Sequence, residues 1–260
     1  MDSLSIILPS YNEETRLPRT FSLLDQAIAQ GVFKGVKLEQ IFVVDDGSRD
    51  HTARLVSSQS LIQPLVKLIE VKPNQGKGNA IHEGLRASTT SWCLVADADS
   101  ATPWDQFLKL HRACTDDSGN RVGEVAIGSR DLPESNVTQK QSWIRENMGR
   151  TFNVLVRLIT GLPYRDTQCG FKLIYRPHLV PFLSKLEVKR FAWDVEFLMF
   201  AKKFGLRISE VPVNWEHQDA SRVNAIKDSS EMLFRVIQLR WRLLFTSKEE
   251  LTRDESKRDD

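Results

Sequence analysis

The chain has 260 residues, is 41% apolar and 27% charged, and carries a formal net charge of +2. That balance belongs to an ordinary globular protein and supplies no general positive field, so a disordered chain and a nucleic-acid partner are both unexpected. Its three cysteines, Cys93, Cys114 and Cys169, form no C-x-x-C pair; a zinc ribbon or a disulfide framework is therefore unexpected, and a reducing cytoplasm fits.

Met1-Asp2-Ser3 leads straight into the apolar run Leu4–Leu8, without the pattern of a signal peptide. No apolar run reaches about 18 residues, so no membrane span is expected. The first hundred residues alternate strand and helix. Leu4–Leu8, Ile41–Val44, Leu65–Val71 and Trp92–Ala96 read as buried parallel strands. Arg16–Gln30, Asp50–Ser58 and Lys77–Ala87 read as the helices between them. This order predicts a mostly parallel sheet with right-handed crossovers. Further on, Val122–Gly128, Lys172–Tyr175 and Leu206–Val213 read as strands, and Gln141–Thr160 and Asp194–Phe204 as helices. An amphipathic helix is expected over Ser229–Phe245, and the polar tail Ser247–Asp260 should be disordered. There is no internal repeat and no linker, so residues 1–228 read as one α/β domain, followed by a helix at 229–246 and a charged tail at 247–260.

The chemistry gathers where these strands end. Pro9-Ser10-Tyr11-Asn12-Glu13 follows the first, Asp45-Asp46-Gly47-Ser48 the second, and Asp97-Ala98-Asp99-Ser100 the fourth. Ligands of open α/β sheets bind outside the carboxyl ends of the strands. Asp-x-Asp spacing points both side chains the same way from an extended backbone. Two hard oxygen donors there suit Mg²⁺ or Mn²⁺ shared with substrate phosphates. Either motif alone reads as an ordinary turn; the two together favour an active site. Asn74-Gln75-Gly76-Lys77-Gly78 opens a helix whose start favours anions, and Lys77 adds a positive charge. It is neither a Walker A loop nor a Rossmann fingerprint. Arg165-Asp166-Thr167-Gln168-Cys169-Gly170-Phe171-Lys172 is a further segment dense in polar groups beside a strand. On the last helix, Phe234, Ile237, Trp241, Leu244 and Phe245 share one stripe, with Arg235 and Arg242 on another. Such a helix suits either an anionic membrane interface or packing on its own domain or a second subunit.

The motifs P-S-Y-N-E, V-D-D-G-S, N-Q-G-K-G, D-A-D and G-S-R, in that order, resemble the inverting family 2 glycosyltransferases of GT-A fold. R-D-T-Q-C-G-F-K, F-A-W-D-V-E and V-P-V-N-W narrow the resemblance to dolichyl-phosphate β-glucosyltransferases and their bacterial polyprenyl-phosphate relatives. It runs from Ser5 to Trp215. The resemblance implies a Rossmann-like GT-A domain that moves glucose from UDP-glucose to a dolichyl or polyprenyl phosphate, with Mg²⁺ or Mn²⁺. It implies a nucleotide pocket lined by Pro9, Tyr11 and Glu13, with Gly76, Lys77, Asp97 and Ala98 also on the donor. Asp46, alone or with Asp45, would bind the uracil. Asp97 would meet the ribose or the metal, and Asp99 the metal. Arg130 and Arg145 would receive the acceptor phosphate, and Asp166, Gln168, Asp194 and Glu196 would surround the transferred sugar. A GDP-mannose donor, a non-lipid acceptor, a catalytically silent nucleotide-sugar binder and a nucleotidyltransferase stay open as alternatives, as does the oligomeric state, a dimer included. A cytoplasmic location is expected, with peripheral contact at the cytoplasmic face of a membrane through 229–246 as an open option.

Overall fold

The computed structural model describes residues 1–58, 64–138, 143–216 and 225–247, with the side chains of 143–148, 150 and 225–229 excepted. The elements in chain order are β1 (Asp2–Ser10), α1 (Leu17–Ala29), β2 (Val36–Asp45), α2 (Thr52–Ser58), β3 (Val66–Glu70), α3 (Lys77–Ala87), β4 (Trp92–Val95), α4 (Phe107–Cys114), β5 (Val125–Ser129), β6 (Asn136–Val137), α5 (Trp143–Thr160), β7 (Lys172–Tyr175), α6 (Arg176–Leu183), α7 (Trp193–Lys203), β8 (Ile208–Pro212), β9 (Asn214–Trp215) and α8 (Ala225–Phe245). The charged tail expected from residue 247 lies, past Ser247, outside the described residues.

Seven strands form one sheet in the order β3-β2-β1-β4-β7-β5-β8, and β6 pairs with β9. The first four strands are mutually parallel, as their alternation with helices predicts. Only β7 runs against its neighbours, β4 and β5, so the sheet is mixed but mostly parallel. Successive strand residues face opposite sides. Ile7, Val44, Val95 and Ile127 pack with α3, α5, α6, α7 and α8 on one face. Leu4, Ile6, Leu8, Val43 and Leu94 pack with α1, α2 and α4 on the other. Both faces are covered, which is why these strands read as unbroken apolar runs rather than alternating ones.

The chain builds outward from β1 to β2 and β3, then returns to place β4 on the other side of β1. That reversal opens a crevice at the carboxyl ends of β1 and β4, the place where such sheets bind ligands. Pro9–Glu13 and the D-A-D segment border it directly.

The last helix carries two apolar stripes. Val236, Leu239 and Leu243 are buried in the core. At 100° per residue they lie nearly opposite Phe234, Ile237, Trp241, Leu244 and Phe245, all exposed. The stripe singled out in the sequence is thus not the one that packs. Arg242 also turns inward: its Nη2 donates to Glu187 at 2.8 Å and to the Lys185 carbonyl at 3.2 Å. Among the described residues no helix is long and apolar enough to cross a membrane.

Candidate active site

The loops at the crevice are tied to one another by backbone donors. Asp45 Oδ1 accepts the Ser48 N–H at 3.0 Å as well as the Ser48 hydroxyl, so this carboxylate builds the D-D-G-S turn. Asn12, at φ +53, donates its N–H to Ser48 Oγ, and the Glu13 N–H donates to Thr52 Oγ1. Pro9 and Tyr11 are partly exposed along this rim, while Glu13 is buried and its carboxylate accepts from Arg16. The Ala98 carbonyl accepts the Thr20 hydroxyl at 2.6 Å, which anchors the D-A-D backbone to α1.

Asp46 reaches the next loop. Its two oxygens accept the N–H groups of Gln75 at 2.9 Å and Gly76 at 2.6 Å. Burial raises its carboxyl above the ordinary value, and those two donors pull it back only in part. The Asn79 N–H, in turn, donates to the Lys189 carbonyl. The Gln75, Gly76 and Asn79 N–H groups at the start of α3 are therefore spent within the protein. The glycines serve the same packing. Gly76 sits at φ +109, where a side chain would be strained, and a Cβ there would lie 2.5 Å from the Lys189 carbonyl oxygen. On Gly78 a Cβ would come within 2.4 Å of the Val188 carbonyl oxygen. The segment 188–193 needs that space.

Four carboxylates each face a cation here. Lys77 Nζ donates to Asp97 Oδ1. Burial alone would depress the Lys77 ammonium, but Asp97, Asp194 and Asp99 together hold it above its ordinary value. Burial likewise opposes ionisation of Asp97, and Lys77, Lys172 and Arg130 override it, holding the carboxyl low. Asp99 is raised, first by burial and then by the negative charge of Asp97. Its Oδ1 accepts the Ala101 N–H at 3.0 Å, and its Oδ2 lies 3.7 Å from Arg16. A Cβ on Gly170 would stand 2.0 Å from Asp97 Oδ2, so only glycine leaves room for that carboxylate.

Asp97 and Asp99 fit a divalent cation. They are adjacent hard-oxygen donors, both partly exposed in the crevice, and like charge already raises one of them. Among the described residues no third His, Cys, Asp or Glu joins them. The remaining ligands would be water or substrate phosphate oxygens, as is usual for Mg²⁺.

Asp166 and Arg130 form a bidentate pair, Nε to Oδ2 at 2.6 Å and Nη2 to Oδ1 at 2.9 Å, and the Arg130 N–H adds a third bond. The Gln168 N–H also donates to Asp166, so the Gln168 side chain stays half-exposed beside it. Burial opposes the Asp166 charge, yet Arg130 wins and holds the carboxyl low. Asp194, fully enclosed, accepts from the buried ammonium of Lys172. Burial raises its carboxyl, offset by Lys172 and Lys77.

Glu196 departs from its expected place. Two residues along a helix are about 200° apart, so Glu196 faces away from Asp194. Its oxygens accept the N–H groups of Glu187 at 3.0 Å and Val188 at 2.8 Å, and Arg242 of α8 lies at 3.6 Å. It holds a loop and the last helix, not a sugar. Burial pushes its carboxyl up to about 7 from 4.5, against the pull of those two donors. A raised carboxyl binds its proton more tightly folded than unfolded, so its contribution is lost as pH rises through about 7. Urea unfolding at pH 5 and pH 8 should show this fall in the wild type and a flatter profile in Glu196→Gln. Equal profiles would refute the burial argument. Arg145 lies on α5, but its side chain is outside the described ones.

Arg16, Lys172 and Gly170 complete the site; Gly170 and Lys172 lie in the polar segment noted in the sequence but had no role of their own there, and Arg16 was read only as the start of a helix. Arg16 carried a local signal, a basic residue three after Glu13 in the first loop. Lys172 read as a strand residue, and Gly170 gave no separate signal.

The chain is similar in sequence and fold to known proteins. The family described as "Glycosyl transferase family 2" matches residues 5–176. The dolichyl-phosphate β-glucosyltransferase of Dictyostelium discoideum is 36% identical over 247 residues, covering 93% of this chain and 75% of its own. The Homo sapiens protein of the same name is 34% identical over 261 residues, covering 94% and 79%. In fold, the chain is similar to glucosyl-3-phosphoglycerate synthase from Mycobacterium tuberculosis, solved with Mn²⁺, UDP-glucose and phosphoglyceric acid. The TM-score is 0.64 at 16% identity, covering 92% of this chain and 79% of that one. The chain is a member of glycosyltransferase family 2, a hexosyltransferase with a GT-A fold that resembles the dolichyl-phosphate β-glucosyltransferases.

Proposed function

We propose that the chain transfers glucose from UDP-glucose to dolichyl phosphate or another polyprenyl phosphate, with inversion at the anomeric carbon. The named activity of its relatives supports the donor sugar and the acceptor class. The observation that carries the acceptor reading is the state of the two carboxylates nearest the site. A sugar hydroxyl would need a general base. Asp166 is locked to Arg130 with its carboxyl held low, and Asp194 is sealed against Lys172. Neither is a free base. A phosphate monoester needs none, because its second pKa is about 6 and it arrives already anionic at pH 7.

Asp97 and Asp99 would hold Mg²⁺ or Mn²⁺, which when bound offsets the charge that grows on the departing diphosphate. Lys77, beside Asp97, brings a permanent positive charge to the same leaving group. Arg130 is oriented by Asp166 and is partly exposed; its remaining N–H edge would guide the acceptor phosphate. Pro9 and Tyr11 border the nucleotide, and Asp46 pairs with the N3–H of uracil through the lone pairs left by Gln75 and Gly76. Asp46→Ala should weaken UDP binding by about 1–3 kcal/mol, the usual scale for a lost hydrogen bond to a charged group. Calorimetry with UDP reads this, and unchanged affinity would mean that the base lies elsewhere. The exposed stripe Phe234, Ile237, Trp241, Leu244 and Phe245 would rest on the cytoplasmic face of a membrane, where an acceptor lipid resides.

The test is direct: incubate the protein with radiolabelled UDP-glucose and short polyprenyl phosphates. An organic-extractable, phosphate-linked glucose supports the proposal. Glucosylation of a sugar hydroxyl, with every polyprenyl phosphate refused, would overturn the acceptor assignment.

A further inference from the structure

We propose that Asn153 and Arg157, one turn apart on α5, form a phosphate-recognising half-site beside the Arg130 loop. Around the site, enclosed or partly enclosed cations meet a carboxylate: Arg16 meets Glu13, Lys77 meets Asp97, Arg130 meets Asp166, Lys172 meets Asp194, and Arg242 meets Glu187. Elsewhere the partly buried Arg176 and Lys203 donate to backbone carbonyls instead. Arg157 is also partly buried, and its Nε is enclosed with no hydrogen-bond partner. No ion pair joins it to any described residue. A guanidinium in the last turn of a helix does gain from the helix dipole. That gain is smaller than the cost of an enclosed, unpaired donor.

One turn earlier, Asn153 shows the complementary defect. It is 7% exposed; its Nδ2 donates to Asp131 Oδ2 at 3.3 Å, and its Oδ1 is buried and unpaired. Residues i and i+4 share one helix face, so an orphan acceptor and an orphan cationic donor lie side by side. Asp131 follows Arg130, whose charge is felt at Asp97. The pair therefore adjoins the site already described.

The chemistry that satisfies both groups is a phosphate. Its anionic oxygens accept from Arg157, and a protonated oxygen, or a water held by the phosphate, donates to Asn153 Oδ1. Two sources offer it: the monoester of an acceptor lipid, a choice that rests on the function proposed above, and the diester headgroup of a membrane lipid. Arg145 is twelve residues earlier on α5, roughly 18 Å along the axis. The two arginines would therefore serve different phosphates.

The test uses the full chain and Arg157→Gln, Arg157→Lys and Asn153→Asp. The last is nearly isosteric and supplies Arg157 with a counterion from within, so it should quench the site without removing the arginine, although it also trades the Asn153 donor to Asp131 for a second carboxylate 3.3 Å away. Each protein is titrated with a short, water-soluble isoprenyl monophosphate, then with UDP, and is sedimented with vesicles of phosphatidylglycerol and phosphatidylcholine. Thermal melting reports folding. Arg157→Gln and Asn153→Asp should each weaken isoprenyl monophosphate about tenfold or more, with UDP affinity unchanged; melting should hold in Arg157→Gln and fall in Asn153→Asp, where a second carboxylate meets Asp131. Arg157→Lys should fall between them and the wild type, because it keeps the charge and loses the fork. Loss of vesicle binding alone would keep the site and assign it to headgroup phosphate. If folded Asn153→Asp and Arg157→Lys bind both phosphate ligands as the wild type does, the half-site is wrong. If the wild type binds UDP and vesicles but no isoprenyl phosphate, the acceptor reading fails, and the vesicle arm alone decides the half-site.

Discussion

Replacing Asp99 by alanine should reduce turnover by about 10²–10³-fold or more, the kinetic equivalent of several kcal/mol of leaving-group stabilisation. Asp99 stands beside Asp97 at the end of β4, and the two are the hard-oxygen donors that fit a divalent cation. Among the described residues, the Asp99 oxygens pair only with the Ala101 N–H and, at 3.7 Å, with Arg16. Its removal should therefore cost little stability. Asp99→Asn, which keeps the shape and loses the charge, should be nearly as inactive as alanine. Binding separates the metal role from a general loss of activity. Mn²⁺ should strengthen UDP binding to the wild type in calorimetry and do so much less for Asp99→Ala. EDTA should silence the wild type to the same degree. Full activity in EDTA, or equal Mn²⁺ enhancement in the variant, would remove Asp99 from this role.

The parts of the protein that were legible in its sequence are those in which a local pattern dictates the outcome. Leu4–Leu8, Ile41–Val44 and Trp92–Ala96 are apolar throughout because both faces of the sheet are covered. Carboxylates placed just after such runs fall at the strand ends by construction, so the crevice could be anticipated before its geometry was known. Short elements were harder to see. α6 carries Pro177 and Pro181, and a proline inside a run of eight reads as a break. α4 is also eight residues long and follows a turn-rich stretch. Pairings across the chain left no local trace: Arg130 and Asp166 are 36 residues apart, and Lys172 and Asp194 are 22 apart. Glu196 was misplaced although the sequence held the answer, because a helical period puts it opposite Asp194. On α8 the sequence analysis singled out one apolar stripe, and the packing buries a second one, Val236, Leu239 and Leu243, which only the helix's neighbours decide. At the start of α3 the sequence could not show that Asp46 and Lys189, remote in sequence, take the Gln75, Gly76 and Asn79 N–H groups.

Lys172→Met should destabilise the protein by about 3–5 kcal/mol at pH 8, the usual cost of leaving one member of a buried ion pair without its partner. Lys172 is fully enclosed, and its ammonium donates to Asp194 Oδ1 and to the Cys169 carbonyl. Methionine fills a similar volume, so the loss is electrostatic rather than a cavity. The pH dependence identifies the group responsible. Burial already raises the Asp194 carboxyl, and Lys172 is the largest influence opposing that rise. Without Lys172 the carboxyl should rise further and take up a proton in the folded state. A group whose folded pKa is raised stabilises below its unfolded pKa and loses that contribution as pH rises through the folded value. The deficit of Lys172→Met should therefore be smaller at pH 5 than at pH 8 in urea unfolding. Adding Asp194→Asn removes the stranded charge. The double variant should recover most of the stability at pH 8, because a neutral replacement for a buried pair is often close to neutral in energy. Transfer activity should not return with it, since Lys77 and Asp97 would lose a charge that they sense. A Lys172→Met protein as stable as the wild type at pH 8, or a double variant no better than the single one, would mean that this pair does not govern the core of the site.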